Sequence, residues 1–198
     1  MLLPLTCFEL RLEGQRLETE PLGDATHLLA RHIATGTGGL VVLGPFGSGK
    51  STLCAQLAKL ARTRPCSVVP IRVLDRNPDV ERSLTEALGA TALEQARAGD
   101  RVVLLDGLDE IRTTDPRHTR ALFHALTERV GPTWVLTSRP GSFRTELDHD
   151  EEQVDSLSLD GVRTVHLDAL RPAAVAEILA QAGGGRQVGS VEGLLELA

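Results

Sequence analysis

The chain contains no tyrosine, one tryptophan and four phenylalanines. So thin an aromatic complement leaves little on which unpaired bases could stack. Lysine is also scarce: it occurs only at positions 50 and 59, so nearly all basic charge is arginine, and the net charge is −6. That balance offers no basic footprint for a phosphate backbone, and no direct nucleic-acid partner is expected. Long apolar runs are missing too; none approaches the roughly 20 residues that span a bilayer. Met1-Leu2-Leu3-Pro4-Leu5 is short, lacks a basic flank and runs into Glu9 and Arg11, so it does not read as a signal peptide. Cys7, Cys54 and Cys66 are odd in number and have no metal or redox spacing. They read as reduced thiols, and a cytoplasmic setting without a membrane is the expectation.

What is present suits a globular α/β chain: 198 residues, 41% of them hydrophobic. Phe8, Leu10, Leu12 and Leu17 alternate around Gly14-Gln15, which suggests a small hairpin over residues 5–19. Asp24 can cap a helix running to Ile33. His27 and His32, on or near it, have no partner at metal-ligand spacing and read as ordinary histidines. Strands are expected at 41–43, 67–74, 101–106, 133–137 and 162–167, with Pro70 marking the second as an edge strand or a bulge. Helical patterns fill 50–60, 79–98 with an interruption at Gly89, 116–130, 172–182 and 190–198. The acidic run 146–152 reads as an exposed loop. Strands alternating with helices through long connections predict a parallel sheet covered on both faces.

Three stretches carry chemistry. The first is Gly44-Pro45-Phe46-Gly47-Ser48-Gly49-Lys50-Ser51-Thr52, a phosphate-binding P-loop pattern between an apolar strand and a helix. Gly47 and Gly49 can adopt positive φ and let the backbone aim its N–H groups inward. Lys50 is a mobile charge for the β- and γ-phosphates, Ser51 a hydroxyl for Mg²⁺, and the helix N-terminus favours an anion. The second stretch, Arg101 to Glu110, is an apolar strand ending in carboxylates. Strand ends share one edge of a parallel sheet, so Asp106 can reach the Mg²⁺ through water, and Asp109 or Glu110 can orient or deprotonate an attacking water. The third, Trp134 to Pro140, ends in Thr137, Ser138 and Arg139. If this strand lies between the other two, Arg139 faces the γ-phosphate and can sense it.

Together GPFGSGKST, LLDGLDEI and LTSRP resemble the Walker A, Walker B and sensor motifs of the NACHT group of STAND ATPases, which includes NOD-like receptors and bacterial defence proteins. The resemblance covers residues 36–198. It implies a three-layer P-loop NTPase with a five-stranded parallel sheet in the order 5-1-4-3-2. By position it implies that Lys50 and Ser51 bind phosphate and Mg²⁺, that Asp106 holds the metal, that Asp109 and Glu110 activate water and that Arg139 is the sensor. Many relatives carry Glu-Pro where this chain has Pro45-Phe46. The expected organisation is a lead-in over 1–35, the nucleotide core over 36–170, and over 171–198 the start of a small helical domain, with Leu167 to Pro172 as its entry. No winged-helix, effector or sensor module follows, so the chain reads as part of a longer receptor-like protein.

The expected function is an ATP/ADP switch with slow, Mg²⁺-dependent hydrolysis, in which ATP favours self-association, in a signalling or antiviral defence setting. Two other classes compete with it. One is a P-loop kinase or motor ATPase, against which no transporter signature or acceptor pocket is visible. The other is a scaffold that binds nucleotide without hydrolysing it, which the acids at 106, 109 and 110 disfavour.

Overall fold

The computed structural model describes residues 5–13, 16–61, 63–74, 79–111, 116–140 and 162–169. The patterns at 146–152, 172–182 and 190–198 lie outside them. Among the described residues, seven strands form one sheet in the order β2-β1-β7-β3-β6-β5-β4. These are β1 (Thr6–Glu13), β2 (Arg16–Asp24), β3 (Gly38–Leu43), β4 (Cys66–Pro70), β5 (Val102–Asp106), β6 (Thr133–Ser138) and β7 (Val162–Leu167). β3 runs parallel to both β6 and β7, and β5 runs parallel to both β4 and β6.

The five expected strands run parallel side by side as β7-β3-β6-β5-β4, but the sheet is mixed and larger than expected. The hairpin β1–β2 is built into it, because β1 pairs antiparallel with β7 at Cys7–Leu167 and Phe8–His166. Three further contacts fasten this seam. The Phe8 and His166 rings stack 5.2 Å apart, Thr6 Oγ1 donates to Asp168 Oδ2 at 2.6 Å, and Asp168 N donates to Thr6 O at 3.0 Å. The pairing covers what would otherwise be an open edge of β7.

Side chains alternate across the central strands, as the period of two requires. Leu40 and Val42 of β3, Leu104 of β5 and Val135 of β6 join a core with α1 (Ala25–Thr35) and α2 (Lys50–Leu60). Val41 and Leu43, Val103 and Leu105, and Trp134 and Leu136 pack on the opposite face. There they meet α3 (Ile71–Leu74), α4 (Val80–Leu88), α5 (Ala90–Arg97) and α6 (Pro116–Arg129). Asp24 caps α1 by accepting from His27 N at 2.8 Å, and Asp79 caps α4 by accepting from Arg82 N at 3.1 Å. The break at Gly89 separates α4 from α5.

The expected strand over 67–74 is shorter than its composition suggests. β4 stops at Pro70, on the last rung opposite Asp106, and Ile71 to Leu74 turn into α3. Ile71 and Leu74, three apart, are both fully buried, which a helical turn achieves and an alternating strand would not. Pro70 is tolerated because β4 is the sheet's outer strand among the described residues. No helix of the described residues is long and apolar enough to cross a membrane.

Candidate nucleotide-binding site

The carboxyl ends of β3, β6 and β5 lie side by side in that order, with Leu43 opposite Ser138 and Leu105 opposite Leu136. Each strand releases one of the three chemical stretches at this edge. Between them lies a cleft of about 440 Å³, lined by residues 46–52, Asp106, Gly107, Asp109, Glu110 and Arg139. That size falls in the range of small-ligand sites.

The loop after β3 curls as its glycines allow. Gly47 and Gly49 have φ of 73° and 88°, in the left-handed region where a side chain would be strained. Gly49 is the residue before α2, whose first residues, Lys50, Ser51 and Thr52, face the cleft. The Gly44 N–H donates to Ser138 O at 3.1 Å, which ties the loop's first residue to the end of β6. Gly44 and Pro45 do not line the cleft; their carbonyls accept from Lys50 Nζ at 2.7 and 3.0 Å. The lysine thus folds back on its own loop, on neutral acceptors that a phosphate oxygen would outcompete. Partial burial pushes the Lys50 ammonium below its ordinary pKa; Asp109 opposes this, Arg139 adds to it, and Asp106 and Glu110 oppose it. An anion in the cleft removes the tendency by stabilising the charged form.

Asp106 ends β5 and is held in place. Thr137 Oγ1 donates to Asp106 Oδ1 at 2.7 Å and accepts from Gly107 N at 2.8 Å. One hydroxyl, fully buried on β6, therefore fixes both the carboxylate and the turn that follows it. Asp109 lies in the 3-10 turn Leu108–Glu110. Its carboxylate is only 6% exposed and pairs through Oδ2 with Arg139 Nε at 2.7 Å. Its Oδ1 is buried and has no hydrogen-bond partner. Glu110 makes a longer, exposed contact of 3.4 Å with Arg72, the kind of pair that contributes little.

The site expected from sequence is thus brought together, save that Gly44 and Pro45 stand behind it. The arrangement can hold a polyanion between one ammonium, one guanidinium and the start of α2. The oxygens of Ser51 and Asp106 share the cleft wall, a hard donor set that fits Mg²⁺ completed by ligand oxygens and water. Two features escaped the sequence reading. Thr137 was visible only as a hydroxyl after an apolar strand, and its bond to Asp106 needs the β5–β6 register. Phe46 was visible only as a loop residue, and its contact with Arg139 has no local signal.

The model of the family described as "NACHT domain" matches residues 39–182. Among solved structures, a DNA replication initiation factor superposes with a TM-score of 0.54 at 14% identity, over 87% of this chain and 58% of that one. AMPPCP-bound DnaA from Aquifex aeolicus gives a TM-score of 0.51 at 15% identity, over 87% of this chain and 55% of that one. The chain thus spans a little over half the length of these relatives, and at such identity the likeness speaks for the fold alone. No curated protein matches the sequence. The α/β sheet with a P-loop at the end of β3 is of the P-loop NTPase kind, mixed and seven-stranded, and with the family match over most of its length the chain belongs to the NACHT domain family.

Proposed function

We propose that this chain is the nucleotide-binding core of a switch that holds ADP at rest, takes up ATP with Mg²⁺, and hydrolyses it slowly to reset. The observation that carries the reading is the convergence of three strand ends, with their basic and acidic groups, on one cleft. In this reading the backbone of residues 44–52 cradles the phosphates through its N–H groups, and Lys50 leaves its loop carbonyls for the β- and γ-phosphates. Ser51 and Asp106 hold the Mg²⁺, which neutralises phosphate charge when bound. Asp109 and Glu110 orient and deprotonate the attacking water, and Arg139 contacts the γ-phosphate.

A switch requires that the γ-phosphate bind one state better than another, because only differential affinity shifts populations. Arg139 is the group proposed to supply that difference. The readout proposed for a longer parent protein is self-association in the ATP-bound state, in signalling or defence. Residues 1–35 would lead into the core at 36–170, and 171–198 would open a helical domain.

The test is direct nucleotide binding by calorimetry to the wild type and to Lys50→Ala. Loss of at least ten-fold in ATP affinity is expected, since a charge-assisted bond to phosphate is removed. Equal ATP affinity in the two proteins would reject the site. Hydrolysis is tested separately by phosphate release from Glu110→Gln, which should fall well below wild type.

A further inference from the structure

The loop that holds the phosphates does so through its backbone, and the Phe46 side chain is the part of the cleft wall to which this mechanism gives no task. It is 84% exposed, at the tip of the loop, in a chain with four phenylalanines. Phe123, by contrast, is buried in the core. An aromatic ring so open to water contributes nothing through burial. It does have one partner: the Arg139 guanidinium carbon lies 5.2 Å from the ring centroid. The same guanidinium is paired through Nε with Asp109. Arg139 is thus in contact with two groups of different kind, an aromatic ring and a carboxylate.

That division matters for the chemistry proposed above, on which this inference rests. A guanidinium stacks through its flat face and donates hydrogen bonds within its plane, so the two uses do not compete. Arg139 can exchange the Asp109 carboxylate for a γ-phosphate oxygen while its guanidinium stays over the ring. Without the ring, a half-exposed arginine must be drawn from many rotamers each time phosphate arrives. The exchange also leaves Asp109 free of its cation, beside a cleft where its second oxygen already lacks a donor. A water donating to that carboxylate would then be oriented only when the γ-phosphate is present.

We propose that the Phe46 ring is the pivot on which Arg139 turns between Asp109 and the γ-phosphate, so that Phe46 is a positioning residue setting how well the site distinguishes ATP from ADP. The ring touches no reacting atom; it acts through Arg139.

The experiment measures affinities of the full chain for β,γ-methylene ATP and for ADP, each with Mg²⁺, by calorimetry. Phe46→Ala should weaken the triphosphate analogue about two- to five-fold, the factor carried by an exposed cation–π contact, and leave ADP unchanged. Phe46→Leu keeps an apolar side chain but no π face, and should behave like Phe46→Ala. Phe46→Tyr should restore the wild-type ratio. In an Arg139→Ala background the Phe46 substitutions should change neither affinity. Three results overturn the pivot: equal weakening of both nucleotides by Phe46→Ala, full discrimination kept by Phe46→Leu, or an undiminished effect without Arg139. Failure of the wild type to bind either nucleotide would bring down the reading of the cleft itself, a different outcome from normal binding with an unmoved ratio.

Discussion

Thr137→Val removes one oxygen from the centre of the sheet and should be felt both in stability and in the site. The hydroxyl is fully buried, donates to Asp106 at 2.7 Å and accepts from Gly107 N at 2.8 Å. Valine fills much the same space, so no cavity opens. What is lost is a bond to a carboxylate, worth about 1.5–3 kcal/mol, and the acceptor of a buried amide, at about 1–3 kcal/mol. The added methyl group regains part of this through burial. A net loss of about 2–4 kcal/mol is expected, which lowers Tm by about 6–12 °C in a chain of this size. Thr137→Ser keeps the hydroxyl and should lose only about 1 kcal/mol, for one buried methyl group. The assay is urea unfolding of both variants together with nucleotide binding at several Mg²⁺ concentrations. Thr137→Val should need more Mg²⁺ for half-saturation because Asp106 is no longer held. A loss below about 0.5 kcal/mol, the ordinary scatter of a neutral substitution, with an unchanged Mg²⁺ requirement would refute the reasoning.

Gly39→Ala should cost at least about 2 kcal/mol in urea unfolding, because a Cβ there would overlap the indole of Trp134. Trimming the obstacle in Gly39→Ala/Trp134→Leu should recover part of that loss; additive losses would contradict it. Burial lowers the His32 imidazole below its ordinary value of 6.5; its backbone bond to Trp134 opposes this, and Arg64 and Arg163 reinforce it. The unfolded chain therefore binds a proton at higher pH than the folded one. The stability from keeping His32 neutral is full above the unfolded value and is lost as pH falls toward the lowered one. Urea midpoints between about pH 7.5 and 5 should fall less steeply in His32→Gln than in the wild type, and equal slopes would count against the half-buried, neutral imidazole.

Much of the site was legible locally. The P-loop is contiguous, so its glycine spacing, its lysine and the helix that follows all lie within a dozen residues, and each signal is short-range. Asp106 was readable because a strand buried on both faces, Val102 to Leu105, must end where its first charged residue appears. The same reasoning overshot at Val69 to Leu74, where an apolar run hides a change of period from two to three. Ile71 and Leu74 are buried by a helical turn, and only packing distinguishes that from a longer strand. The hairpin was legible as a hairpin, but not as part of the sheet, because pairing β1 with β7 joins residues about 160 apart.

By itself the amino-acid order determined the local chemistry: which loop can cradle a phosphate, which strands end in acids, and where an arginine follows an apolar run. These depend on backbone freedom and side-chain type within a few neighbouring residues. Only the tertiary structure decided who meets whom. β6 lies between β3 and β5, and this sets Thr137 against Asp106 and Arg139 between Phe46 and Asp109. Such meetings follow from strand register and crossover, which long-range packing selects and no short stretch of sequence encodes.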